Sequence, residues 1–212
     1  MKWYEEVHIP DWMGAKPGAI TSAWRYQSLD PTRATPFLVG YKYPDVSAQN
    51  APEFRRVTLN HPSLPEGGPA SKFITITISA GPHVQTWRSG STGDTRGPLL
   101  VTETIDLGPN LTVEKFHEWY RENYIYELSK LEGWRRTSRF DISGGRWLTL
   151  HEFEESAFPP NTTAVTSLFG DPEKYQDLVK AARKIDLGLW RLVRVFGDGT
   201  AGWGLPGTDD IL

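Results

Sequence analysis

The chain has 212 residues, with 23 Lys and Arg against 26 Asp and Glu, a formal net charge of −3, and no cysteine. The missing thiol excludes a disulfide scaffold, a zinc ribbon, an iron–sulfur site and a thiolate nucleophile, and the near-neutral balance gives no electrostatic footprint for nucleic acid or anionic lipid. Apolar runs are far shorter than the roughly 18 residues that cross a bilayer, and what stands out instead is nine Trp, eight Tyr and nine Phe.

In chain order, a short helix opens at Trp3, is interrupted by Pro10 and finishes between Gly14 and Gly18, with distortion expected just past His8 because Pro10 cannot donate to the Glu6 carbonyl. Strands are predicted over 19–29 and 37–44 around Asp30-Pro31, and a short helix over 51–57. The loop over 60–70 holds Pro62, Pro65 and Pro69 and reads as fixed in shape. Residues 72–79 alternate strictly, with Ile74, Ile76 and Ile78 on one face, which predicts a strand; 89–94 read as a linker.

A strand over 99–107 ends at Gly108-Pro109-Asn110. Thr112 is placed to cap a helix whose stripe is Val113, Phe116, Tyr120, Tyr124, Leu128 and Leu131, closed by Gly133. Strands over 134–142 and 146–154 flank Ser143-Gly144-Gly145, a hairpin signal. Asp171-Pro172 opens a second helix with Tyr175, Leu178, Val179 and Ala182 on its inner face, and 189–196 is the last strand.

The chain repeats itself. Trp3-Tyr4-Glu5-Glu6-Val7-His8-Ile9 matches Trp119-Tyr120-Arg121-Glu122-Asn123-Tyr124-Ile125, Arg25-Tyr26 matches Arg139-Phe140, and Leu38-Val39-Gly40-Tyr41-Lys42-Tyr43 matches Leu148-Thr149-Leu150-His151-Glu152-Phe153. The order β-α-β-β-α-β is the ferredoxin-like split unit. The expected fold is therefore α+β, with one ferredoxin-like repeat over 1–92, a second over 93–200 and a Gly-rich tail over 201–212. Only two residues precede Trp3, so repeat 1 is expected to lack its first strand here: either the native chain is longer upstream, or something else covers that sheet edge, the C-terminal tail being one candidate.

The stretch Trp3-Tyr4-Glu5-Glu6-Val7-His8-Ile9-Pro10 resembles the Trp-Tyr…His-Ile-Pro signature of EthD-like proteins in the dimeric α+β barrel superfamily. Trp119-Tyr120 through Glu132-Gly133-Trp134-Arg135-Arg136, with 148–153, resembles the second half of fungal tandem members. The resemblance spans residues 3 to about 196 and implies a dimeric-α+β-barrel-type fold made within one chain. Superfamily relatives include polyketide cyclases, decarboxylases, muconolactone-type isomerases, cofactor-free oxygenases and haem enzymes, so it does not fix the reaction.

Carrying the second helix back onto the first sets Tyr4 against Tyr120, His8 against Tyr124, Trp12 against Leu128 and Ala15 against Leu131. His8 thus takes a position where the sister helix points a ring at its sheet, and Asp11, three residues on, is placed to orient its imidazole. Its two readings are a general acid/base or hydrogen-bond donor to a carbonyl or enolate, and a buried core histidine; the resemblance places a pocket there. Tyr4, Trp12, Trp24, Tyr26, Phe37, Tyr41 and Tyr43 are candidate substrate-lining rings, with core packing as the alternative.

Of the remaining residues, His151 is the counterpart of Tyr41, His83 can reach a pocket rim, and Tyr124 is a candidate by symmetry with His8. His117 and the arginines Arg135, Arg136 and Arg139 are expected on solvated faces. Gly197-Asp198-Gly199-Thr200-Ala201-Gly202 has dinucleotide-loop spacing but no helix pattern after it, and no histidine pair has metal-ligand spacing, so neither cofactor nor metal is expected.

Residues and resemblance together lead to a cofactor-independent tailoring enzyme of secondary metabolism. It would cyclise, isomerise or decarboxylate an apolar aromatic or polycyclic substrate; a pericyclic cyclase fits equally well. The rival is a non-catalytic ligand-binding or stress-response barrel, and haem chemistry ranks last. The expected partner is the small substrate alone, without nucleic acid or membrane, in a monomeric pseudo-dimer or a homodimer. The N-terminus shows no apolar signal-peptide core, which makes the cytoplasm the expected compartment.

Overall fold

The computed structural model describes residues 2–90, 96–157, 176, 178, 180–198 and 209–211. Its strands are β1 (Ser22–Ser28), β2 (Phe37–Lys42), β3 (His83–Arg88), β4 (Leu99–Leu107), β5 (Trp134–Asp141), β6 (Arg146–Phe153), β7 (Ala182–Gly197) and β8 (Asp209–Ile211), in the order β2-β1-β7-β4-β6-β5-β3-β8. Strands β4 to β7 are the four strands of the second ferredoxin-like repeat, and β1 to β3 belong to the first. The last strand of each repeat sits in the other's sheet: β3 runs antiparallel to β5, and β7 neighbours β1. This is the dimeric α+β barrel arrangement within one chain, with no strand ahead of the first helix among the described residues.

The chain divides into two compact units. One comprises Met1–Arg25, Val39–Ser79 and Arg194–Gly199; the other comprises Tyr26–Leu38, Ala80–Val193 and Thr200–Leu212.

In the larger unit, alternation along β4 puts Leu99, Val101, Glu103, Ile105 and Leu107 on one face. Helix α2 (Val113–Trp119, Tyr120–Tyr124 and Ile125–Ser129) lays Phe116, Tyr120, Tyr124 and Leu128 on that face, and all four are buried. Each large apolar side chain so buried contributes roughly 1.5–3 kcal/mol. Thr112 caps the helix by accepting from the Lys115 N–H at 3.3 Å. Gly133 ends the segment at φ 74°, a left-handed conformation that favours glycine. Val113, at the first helical position, stays exposed and drops out of the stripe. The β5–β6 hairpin turns through Ser143, Gly144 and Gly145, all at positive φ.

In the smaller unit, helix α1 (Tyr4–His8 continued by Ile9–Gly14) accompanies 3-10 turns at Val46–Asn50 and Pro52–Arg56. A small core of Ala19, Ile20, Ala51 and Phe54 gathers Trp12, Met13, Tyr41 and Tyr43 around it.

Both helices contain a π turn at the same place in the repeat. The Ile9 N–H bonds to the Tyr4 carbonyl, and the Ile125 N–H to the Tyr120 carbonyl. The irregularity therefore precedes Pro10 instead of following His8, and proline does not cause it, because the second copy has Tyr126 in that position. What accompanies it in both copies is the Trp-Tyr-x-Glu motif and a buried isoleucine just beyond.

Three expectations are corrected. Residues 74–82 form no ladder, Ile76 and Ile78 are exposed (52 % and 82 %), and the strand of this region is β3, from His83. Alternation measures only how a segment would fit a sheet, and here the ladder partner β5 is met by Gln85 to Arg88 instead. The last strand begins at Ala182, which pairs with Leu107 and is not on a helix. Finally, Arg136 and Arg139 are buried and His117 is half-buried, for reasons taken up below. Asp171-Pro172, Tyr175, Val179, the linker centre 91–94 and the glycine motif beyond Asp198 lie outside the described residues; Leu178 is helical and buried in the core.

The tail returns as β8, pairing in parallel with β3 through Thr86 to Arg88 and covering that edge. No helix among the described residues is long and apolar enough to cross a membrane. In urea unfolding, Ile78→Asp should change stability by less than about 0.5 kcal/mol, whereas Leu128→Ala should cost about 2–5 kcal/mol. A large loss from Ile78→Asp would restore the isoleucine strand.

Candidate functional site

A π turn holds one more residue than an α turn, so side chains five apart come to lie over one another. In the first repeat this places the Trp3 ring 5.1 Å from that of His8. In the second it places Trp119 at the same 5.1 Å from Tyr124. His8 thus occupies the spatial role of Tyr124, with an imidazole where the sister copy has a phenol.

His8 is 8 % exposed, and its ring also meets Tyr4 at 4.9 Å and Trp12 at 6.0 Å. Its Nδ1 is shielded from solvent and has no hydrogen-bond partner. Burial pushes the imidazole below its ordinary value of 6.5, and the carboxylate of Asp11, on the exposed side of the helix, pulls back only in part. A neutral ring with a bare nitrogen is the form in which histidine accepts a proton.

The same unit gathers three more predicted residues. Trp12 Nε1 donates to the Tyr43 hydroxyl at 3.0 Å and stacks on Phe54 at 4.8 Å. Burial and the neighbouring Tyr4 hydroxyl push the Tyr41 phenol upward, and burial does the same to Tyr43. Trp24 is fully buried on β1. Arg25, also buried, lies over the Tyr4 ring at 5.3 Å and bonds Glu5 through Nε at 3.3 Å. A cavity of about 610 Å³ opens between α1 and the proline loop, lined by Trp3, Tyr4, Val7, His61, Leu64 and Phe73 among others. His8 is one ring behind that wall, in contact with Trp3 and Tyr4.

The larger unit holds the other predicted residues apart from these. Tyr124 and His151 come together with two groups the sequence reading passed over, Glu103 and Thr137. His151 Nδ1 lies 3.0 Å from Thr137 Oγ1 and Nε2 lies 3.8 Å from Glu103 Oε2, while the Tyr124 hydroxyl reaches Glu103 Oε1 at 3.5 Å. All four side chains are buried. Register explains the grouping: Val101, His151 and Thr137 form one row across β4, β6 and β5, and Glu103, Thr149 and Arg139 the next. A polar patch therefore lies on the sheet face under the π turn of α2. Its signals were available, since Glu103 interrupts the apolar register of β4 and Arg139 is the repeat partner of buried Arg25.

The opposite face of this sheet carries a separate buried cluster. Glu152 takes Arg96 as an ion pair, Arg136 at 3.4 Å and the Gly97 N–H at 2.8 Å. Tyr26, fully buried, feels all three side chains, and its phenol is pushed upward mainly by desolvation. His83 Nε2 meets Thr86 Oγ1 at 2.8 Å and Phe140 edge-on, and Phe37 is half-buried on the edge strand β2. All three belong to the larger unit. No group of three metal-ligating side chains forms among the described residues.

A folded-state imidazole value below the unfolded one means that the unfolded chain binds more protons, so stability falls as pH drops through about 6.5. Urea unfolding at pH 5 and pH 8 should show this loss, and His8→Phe should remove much of it, leaving the contribution of His117, which is also lowered by burial and by Arg139. An unchanged slope in His8→Phe would mean that His8 is not desolvated.

No known family model and no curated protein matches the sequence. Solved structures do match. A protein from Fusobacterium nucleatum assigned as a monooxygenase aligns with TM-score 0.52 at 10 % identity, over 94 % of this chain and 90 % of its own. An anthrone oxidase-like protein aligns with TM-score 0.51 at 12 % identity, over 94 % and 90 %. A second protein assigned as a monooxygenase, from Lactobacillus acidophilus, aligns with TM-score 0.52 at 8 % identity, over 92 % and 89 %. At such identities the likeness is one of fold alone, that of the dimeric α+β barrel type.

Proposed function

We propose that the chain is a small-molecule tailoring enzyme that works without a resident cofactor on an apolar aromatic or polycyclic substrate, with His8 moving a proton. The supporting observation is the buried imidazole with an unpartnered Nδ1 among the rings of Trp3, Tyr4 and Trp12. A neutral imidazole takes a proton from a carbon made acidic by an adjacent carbonyl, leaving an enolate. The phenol of Tyr41 stays protonated and is suited to donate to that oxygen. The imidazolium then returns the proton elsewhere, which completes an isomerisation. Alternatively the enolate closes on a second carbonyl of the same molecule, a cyclisation, or forms by loss of carbon dioxide, a decarboxylation. Stacked rings hold a flat substrate in the reactive pose.

A second reading is favoured by the fold neighbours, one of which is named for anthrone oxidation. An anthrone gives up a ring C–H proton to form its enolate, and dioxygen converts that anion to the quinone with release of water. Both readings share the first step, so one probe serves for both. Anthrone in deuterated buffer under argon should exchange its methylene hydrogens faster with protein than without. His8→Ala should lower that acceleration by about 100-fold or more while the melting temperature shows the variant folded. Dioxygen uptake under air then separates oxygenation from isomerisation. Full exchange in His8→Ala would remove His8 as the base, and no acceleration by the native protein would favour the binding-protein reading.

A further inference from the structure

The two repeats bury equivalent arginines and satisfy them differently. Arg25 stands over Tyr4 and is paired with Glu5. Arg139 stands over the equivalent Tyr120, with CZ 4.1 Å from the ring centroid, but Glu5 is replaced by Arg121. Arg139 is fully buried, and among the described residues no carboxylate comes within ion-pair distance of it. Glu103, one strand beyond Thr149 in the same row, attracts the guanidinium through space without making an ion pair with it, while its Oε1 takes the Tyr124 hydroxyl at 3.5 Å.

Aromatic faces and unanswered donors surround this guanidinium. Phe116 and Trp147 lie at 4.8 and 5.2 Å from it, and Trp87 at 6.0 Å. Its Nε and Nη2, and Trp147 Nε1, are buried without hydrogen-bond partners. The polar contact it does make is from Nη1 to Nδ1 of His117 at 3.1 Å. An arginine can only donate, so His117 must be accepting through Nδ1 and is neutral. Burial and Arg139 itself both lower the His117 pKa, in agreement. His117 is also the one member of the group that is not buried.

We infer that Arg139 is the anion-binding group of a second ligand site, in the second repeat, which takes a planar aromatic carboxylate or phenolate. The anionic oxygen displaces His117 from Arg139, the guanidinium fork and the Trp147 N–H donate to it, and the ring of the ligand lies against Trp87, Phe116 and Tyr120. A buried charge whose only hydrogen-bond partner among the described residues is a neutral imidazole is costly, and a ligand oxyanion supplies a charged acceptor at contact. The site does not depend on the reading of His8, which lies in the other repeat.

The test is binding of 2-naphthoate to the full-length protein, followed by quenching of tryptophan fluorescence, with neutral 2-naphthamide as the comparison. The naphthoate should bind at least tenfold more tightly than the amide. Arg139→Met should erase that preference, Arg139→Lys should weaken it by losing the fork, and His117→Ala should bind naphthoate at least as tightly as the native protein. Circular dichroism checks that each variant is folded, and the acid–amide comparison on native protein decides the matter if a variant is not. Equal affinity for acid and amide, absence of naphthoate binding at millimolar concentration, or native affinity in folded Arg139→Met would each overturn the site.

Discussion

The ring pairs of both helices depend on a single extra residue in each helix. An α turn would carry the ring at position i+5 around the helix and away from the ring at i; the π turn swings it back over its neighbour. That is why Trp3 and His8, and Trp119 and Tyr124, form pairs with the same 5.1 Å separation in two sequences that otherwise share few residues. The turn places a polar ring at the helix–sheet junction, shielded from water. Both the desolvation of His8 and the contact of Tyr124 with Glu103 follow from that placement.

The sheet of the larger unit solves the problem of buried charge in two opposite ways. On one face Glu152 gathers Arg96, Arg136 and a backbone N–H, so each charge has hydrogen-bonded company. On the face beneath α2, Glu103 and Arg139 are held a strand apart with Thr149 between them, so they attract through space but form no direct ion pair. The first arrangement holds strands in place. The second keeps buried donors without hydrogen-bond partners inside a shell of rings.

Much of the architecture was legible because it rests on local signals that tertiary context did not override. The Thr112 cap, the Gly133 stop and the Ser143-Gly144-Gly145 turn each answer a fixed backbone demand. The isoleucine segment alternates as a strand would, but alternation records which face a residue would present without naming a partner strand, and Ile78 is 82 % exposed. Arg139 is a residue type that normally faces water, yet it stands in a row with buried Thr149 and Glu103 under α2, and position outweighs charge there. The repeat comparison carried the correction within it, since Arg25 and Arg139 align and a duplicated arginine at a core register is seldom a solvated one. Glu103 in the apolar register of β4 was the same kind of signal.

The exchange of last strands, β3 onto β5 and β7 beside β1, has a consequence for how the molecule can change. Two separate copies associating in this way would be a symmetric dimer, in which every substitution appears twice and both halves must accept it. A tandem chain is released from that symmetry. A histidine can enter one helix while its counterpart remains a tyrosine, and an arginine can lose its carboxylate in one half while keeping it in the other. Tandem connection also turns assembly of the halves from a concentration-dependent step into an intramolecular one, so a costly, asymmetric interior is tolerated that two dissociating subunits would have had to stabilise at every dilution.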